Sequence, residues 1–164
     1  MDVQFFQPPP IGPQFVSATV MTVAALLATY PASAAYNGLY ARVSDLWGVA
    51  DEVMRCTWSS GFGYYWRPQR TDFAQTNTAT SGAVTLTTLV TSPILFLTGS
   101  LLGNITVTPS NTNAYPGATF EVVANGTLNL FGISFGGLLN SVGALLAGNN
   151  RFITYDGAGW RARP

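Results

Sequence analysis

The sequence has no histidine, no lysine and a single cysteine, and charged residues make up only 9% of its 164 positions. The missing residue types remove the commonest general base, the commonest metal ligand and the amine of Schiff-base chemistry. Ser-His-Asp and Cys-His arrangements are impossible, and one cysteine without histidine excludes a structural zinc site. We therefore expect no cofactor and no bound metal. Cys56 is interpreted as a small buried residue, with an intermolecular disulfide as the alternative.

Long hydrophobic runs are also missing. A membrane-spanning helix needs ~20 mostly apolar residues in a row, and the longest candidates, 20–28, 90–97 and 131–139, are much shorter. The apolar stretch 20–27 resembles the central part of a signal peptide, but no lysine or arginine precedes Arg42. These observations predict neither membrane insertion nor a signal peptide.

The charges that are present balance to a formal net charge of zero, and every basic residue is an arginine. They form no basic stripe of the kind that neutralises phosphates, so we expect no nucleic-acid partner. Hydrophobic residues reach 48% of the chain, while a typical domain carries roughly 25% charged residues. A chain that is this rich in apolar residues and this poor in charged ones is predicted to form a large protein–protein interface.

The pattern along the chain predicts a mainly β fold. Period-2 spacing of β-branched and aromatic residues, with turn residues between the runs, is typical of strands. We expect two related small antiparallel β units, sandwich-like or barrel-like, and one short N-terminal helix between Ser17 and Thr29 that ends before Pro31. Residues 138–147 are either a second short helix or a loop. The predicted divisions are an extended anchoring arm (1–16), a first β unit with the helix (17–70), a linker (71–82) and a second β unit (83–164).

The arm combines prolines, which favour polyproline geometry, with aromatic residues that a disordered tail normally lacks. Two interpretations stay open: the arm anchors to another protein surface, or it folds back on its own domain. The candidate anchoring residues are Val3, Phe5, Phe6, Pro8, Pro9, Pro10 and Ile11.

Two short motifs recur in the same order in both halves. A Tyr-containing glycine turn occurs at 35–38 and at 114–117, and a Trp-Arg segment closes each half at 63–68 and 156–161. Self-similarity in a fixed order favours an internal duplication. Trp66 and Trp160 are expected to plug their β units, each indole N–H meeting a backbone carbonyl. Trp47 and Trp58 remain candidates for surface recognition.

At these residues the chain resembles the small β-rich modules of tailed-bacteriophage virion proteins and of related gene-transfer particles. The segments TVAALLATYPASAAYNGLYARVSDL, closing on YYWRP, and NAYPGATFEVVANGTLNL, closing on RFITYDGAGWRA, carry the resemblance, which covers about residues 19–68 and 83–163. It implies a virion protein that forms intertwined or side-by-side trimers. Because the chain has no collagen-like run and no heptad stalk, a short cap, knob or cement protein fits better than a fibre shaft.

Three functions follow as hypotheses. The first is a non-enzymatic, homotrimeric capsid decoration, cement or head-appendage protein that binds itself and the major capsid protein or another virion protein. Its expected subunit interface consists of Val84, Leu86, Ile94, Phe96, Ile105 and Val107. The alternative is a tail fibre or spike component in which Trp47 and Trp58 bind a host-surface glycan. The third is a glycan hydrolase, whose carboxylate pair would be Asp51 and Glu52, although solvated turn residues explain these two acids more simply.

Overall fold

The computed structural model describes residues 12–78, 80–98, 103–125 and 132–163. The anchoring residues predicted in the arm, 3–11, therefore lie outside the described residues. Leu128 and Leu130, predicted as strand residues, also lie outside them.

Helix α1 spans Val23–Thr29 and buries Val23 and Leu26. The side-chain oxygen of Thr22 accepts a hydrogen bond from the amide of Ala25 and caps the helix. The helix lies within the predicted segment 17–29 but occupies only its last two turns, and Thr22 rather than Ser17 caps it. The chain from Phe15 to Met21 instead runs beside the next strand, so its backbone groups are committed there rather than to helical bonds.

The first β unit is a three-stranded antiparallel sheet, as predicted. Strands β1 (Tyr40–Val43), β2 (Glu52–Ser59) and β3 (Gly63–Pro68) lie in the order β1-β2-β3. Alternation along β2 places Met54 and Cys56 on the buried face, where they pack with Leu26 and Trp66. Helix α1 and this face of the sheet enclose the first hydrophobic core.

The second unit consists of two sheets around a second core. Its strands are β4 (Ala74–Asn77), β5 (Gly82–Leu86), β6 (Ile94–Leu97), β7 (Ile105–Pro109), β8 (Thr119–Ala124), β9 (Ile133–Phe135), β10 (Asn150–Tyr155) and β11 (Trp160–Arg163). One sheet has the order β11-β10-β8-β6-β4 and the other β5-β7-β9. From β4 to β9 successive strands alternate between the sheets, and neighbours within each sheet are parallel. The chain therefore coils around the core like a short flattened solenoid, and the antiparallel pair β10–β11 extends the larger sheet.

The mainly β class with one short N-terminal helix is confirmed. The prediction of antiparallel pairing holds for β1 to β3 and for the pairs β8–β10 and β10–β11, but it is wrong for the neighbours among β4 to β9. Period-2 spacing is the same in parallel and antiparallel strands, so it cannot distinguish them. The prediction that 71–82 is only a linker is wrong, since β4 lies within it and pairs with β6. Residues 138–147 form a loop, which was one of the two alternatives.

The two units are in contact. The amide of Trp47 in the first unit donates to the carbonyl oxygen of Leu89, and Leu89 packs into the first core. The ring of Tyr65 on β3 stacks on Tyr115, with ring centroids 5.8 Å apart. Burial raises the pKa of the Tyr115 phenol to about 12, although the positive charge of Arg67 opposes that rise.

Candidate functional site

The outward face of the five-stranded sheet carries apolar side chains in its middle strands. Side chains alternate between the two faces of a strand. Leu95, Val122 and Ile153 point into the second core and are at most 1% exposed. Their sequence neighbours therefore face away from that core. We call four of these, on β6, β8 and β10, the outer sheet patch: Ile94, Phe96, Val123 and Phe152.

The strand register makes the outer sheet patch continuous. Phe96 lies opposite Val123, while Ile94 and Phe152 flank Glu121 from the strands on either side. The carboxylate of Glu121 accepts a hydrogen bond of 2.7 Å from the side-chain amide of Asn150. Phe152 is 38% exposed, and the other three patch residues are half-buried. A sheet that is apolar on both faces is typical of one that is covered by a further protein surface.

The structure divides the six residues that were predicted to form a subunit interface. Leu86, Ile105 and Val107 are completely buried in the chain's own core, and half-buried Val84 packs against the same core. The prediction is therefore wrong for Leu86, Ile105 and Val107, because the opposite sheet of the same chain already covers them. Ile94 and Phe96 lie on the outward face and belong to the outer sheet patch. The sequence analysis missed Val123 and Phe152, although consecutive apolar residues in the strands at 94–97, 122–123 and 152–153 are the sign of two apolar faces.

A second exposed surface lies near the end of the β2–β3 hairpin. Trp58 and Tyr64 face each other across the two strands and are 53% and 36% exposed. They lie on the same face as the buried pair Cys56 and Trp66, but the first core ends before it reaches them. We call Trp58 and Tyr64 the hairpin pair. The prediction that Trp58 is a recognition residue stays a prediction, and its ring is accessible.

Trp47 does not form part of any such surface. It is only 8% exposed and stacks on Phe73, with ring centroids 6.4 Å apart. The prediction of Trp47 as a surface recognition residue is therefore wrong. Trp47 has a positive φ of 56°.

The two tryptophans that close the halves behave as predicted. Trp66 is 4% exposed and its indole N–H donates to the carbonyl oxygen of Tyr30 at 2.8 Å. Trp160 is 1% exposed and its indole N–H donates to the carbonyl oxygen of Ser110 at 3.1 Å. Each large ring thus fills its core while its polar atom is satisfied.

The carboxylates of the described residues all have structural partners. Four of them form ion pairs with arginines: Asp51 with Arg42, Glu52 and Asp72 with Arg70, and Asp156 with Arg161. The other two accept hydrogen bonds, Asp45 from the backbone amide of Val23 and Glu121 from the side-chain amide of Asn150. Bonds from Arg161 and from two turn amides lower the pKa of the Asp156 carboxyl to about 2. The described residues contain no group of three His, Cys, Asp or Glu side chains that could hold a metal ion.

Within the part of the chain that the structure describes, no helix is long and apolar enough to cross a membrane. Comparison of the chain with protein-family models, with curated proteins and with solved structures finds no match in any of the three.

Proposed function

We propose that the chain is a non-enzymatic virion structural protein that works by binding other proteins, as a homotrimeric capsid decoration, cement or head-appendage protein of a tailed phage. The observation that carries the binding role is the outer sheet patch. Its four apolar side chains lie on a sheet whose other face is already filled by the chain's own core. The phage assignment is supported by the sequence resemblance alone.

Hydrophobic burial supports a binding role for this surface. Fully burying one large apolar side chain contributes about 1.5–3 kcal/mol. The patch residues lie on three neighbouring strands about 4.8 Å apart, so one partner surface can cover them together. Charged residues make up only 9% of the chain. On this face, Glu121 lies among the patch residues, and Arg161 and Arg163 border them on the edge strand β11.

The experiment is a mass measurement by light scattering over a range of concentrations. The intact chain is expected to have the mass of a trimer. Phe152→Asp places a charge in the outer sheet patch and is expected to shift the mass towards one copy. Thr85→Asp is the matched control, because Thr85 is an exposed strand residue of the other sheet. A wild-type chain that remains monomeric at high concentration would contradict the proposed self-assembly. A trimer that Phe152→Asp leaves intact would show that the outer sheet patch is not the trimer interface.

Attachment to the virion needs a separate measurement. Purified protein is mixed with particles that lack it and the mixture is sedimented. Co-sedimentation is expected for the wild-type chain, and its absence with every particle component offered would contradict the proposed location.

A tail fibre or spike component that binds the host surface is the second candidate, and the hairpin pair favours it. Two exposed aromatic rings side by side can stack on the apolar face of a sugar. Glycan-array binding that is lost in Trp58→Ala and kept in Val20→Ala, another exposed apolar position, would support this function. If the protein binds no glycan on the array, the second candidate is contradicted and the assembly function remains the proposal.

A further inference from the structure

A groove of about 870 Å³ lies beside β1, where the described chain begins. Gly12, Pro13, Gln14 and Phe15 line one side, and residues 37–40 with Val53 and Arg55 line the rest. The Gln14–Val16 backbone is held to β1 by two hydrogen bonds of 2.8 Å with Tyr40. We call this feature the N-terminal groove. The segment that forms one wall of the groove is therefore held in place by hydrogen bonds to the first sheet.

A cation without an acidic partner among the described residues, Arg55, lines the N-terminal groove. The Nε atom of Arg55 is buried and has no hydrogen-bond partner among the described residues. Its guanidinium lies over the ring of Tyr40, 5.6 Å from the centroid. Directly across the strand pair is Arg67, which likewise has no acidic partner in the described part of the chain. Like charges placed opposite each other on neighbouring strands are destabilising. A carboxylate in the groove beside Arg55 would offset this repulsion and give its guanidinium a charged hydrogen-bond partner.

We propose that the N-terminal groove binds residues 2–6 of a second copy of the chain, with the Asp2 carboxylate on Arg55. Charge complementarity selects this occupant. Asp2 is the only charged side chain among residues 1–11. The carboxylates of the described residues already have partners, whereas Arg55 forms no ion pair with any described residue and its Nε atom has no hydrogen-bond partner among them. Val3, Phe5 and Phe6 match the apolar part of the groove, where Phe15 and Tyr40 pack with ring centroids 5.9 Å apart.

The length of the segment points to a second copy rather than to the same chain. Pro8, Pro9 and Pro10 favour an extended conformation that rises about 3.1 Å per residue. Asp2 precedes Gly12 by ten positions. In an extended segment, Asp2 would therefore lie roughly 30 Å from Gly12, which lines the groove of its own chain. Repeated head-to-tail, such an exchange closes into a ring, and a ring of three is compatible with the proposed trimer. The inference rests on the self-assembly in the proposed function, and it names a second contact between neighbouring copies besides the outer sheet patch.

A charge-swap experiment on the full-length chain tests it. Asp2→Arg and Arg55→Glu are each expected to raise the dissociation constant of the assembly by about tenfold or more, since a charge-assisted hydrogen bond is lost and a repulsion is added. Thr85→Glu, which adds a negative charge at an exposed strand position of the other sheet, is the control and should change nothing. The Asp2→Arg/Arg55→Glu double variant should restore assembly of its own chains, because each segment then meets a groove of opposite charge. It should not form mixed assemblies with wild-type chains, because like charges meet wherever the two kinds of chain are neighbours.

The outcomes separate this inference from the proposed function. A wild-type assembly that both single variants leave intact overturns the groove contact but keeps the self-assembly. A wild-type single copy overturns both. Free mixing of double-variant and wild-type chains within one assembly would mean that each segment binds its own groove, and it would overturn the exchange between copies. If Arg55→Glu does not fold, the dissociation constants of the Asp2→Arg and Asp2→Glu variants still test the groove contact. Only Asp2→Arg reverses the charge, so only it should weaken the assembly.

Discussion

The indole N–H of Trp66 donates a 2.8 Å hydrogen bond to the carbonyl oxygen of Tyr30, the residue that ends helix α1. This bond joins strand β3 to the helix across the first core, over 36 positions of sequence. Helix α1 has only seven residues, and so short a helix is not stable by itself in water. The tertiary bond and the packing of Leu26 therefore hold it in place.

Trp66→Phe removes this hydrogen bond and leaves a small cavity. We expect the free energy of unfolding to fall by about 2–3 kcal/mol, from the lost bond and the lost packing together. Urea unfolding followed by circular dichroism measures the change. Trp58→Phe is the matched control, since Trp58 is 53% exposed and a surface substitution usually changes stability by less than about 0.5 kcal/mol. Equal effects of the two substitutions would contradict the structural role of Trp66.

Asp156→Asn should make the protein less stable near neutral pH and equally stable in strong acid. The folded pKa of Asp156 is about 2, below its ordinary value of 3.8, chiefly because Arg161 bonds to the carboxylate. A depressed pKa contributes stability that is present in full above about pH 4 and is lost as the pH falls through about 2. Urea midpoints of the two proteins should therefore converge between pH 4 and pH 2. A difference that stays constant over that window would contradict the ion pair.

Cys56 should be unreactive in the folded protein. Its side chain is completely buried, and burial raises the pKa of the thiol, so little thiolate forms. We expect one thiol to react with a colorimetric reagent only after unfolding. A Thr85→Cys variant, which places a thiol at an exposed strand position, should react without unfolding. A disulfide-linked dimer of the wild-type chain on a non-reducing gel would contradict this prediction.

Gly157→Ala should destabilise the turn that joins β10 to β11. Gly157 has a φ of +101°, a conformation that costs an L-residue about 1–2 kcal/mol. Gly143→Ala is the control, because a Cβ there meets no atom within 4 Å and the φ of Gly143 is not in the positive range. Thermal unfolding compares the two variants. A melting temperature of Gly157→Ala equal to that of Gly143→Ala would show that the turn tolerates a side chain.

The outer sheet patch could be predicted in part. The run at 94–97 is entirely apolar, so both faces of that strand had to be apolar, and Ile94 and Phe96 were correctly singled out. Leu86, Ile105 and Val107 were misplaced because their alternation shows that one face is apolar without showing what covers it. In the structure the other sheet of the same chain covers that face. Arg55 was not singled out at all, since an arginine in a strand carries no local sign that its partner is missing.

The sequence by itself determined the mainly β class, the turns at glycine and the burial of Trp66 and Trp160, because local sterics and the alternation of side chains act over a few residues. Only the tertiary structure decided that β4 to β9 coil in parallel and that helix α1 begins at Val23. It also decided that Trp47 is buried while Trp58 is exposed. Such features depend on which distant segments pair and pack, and no short-range pattern encodes that choice.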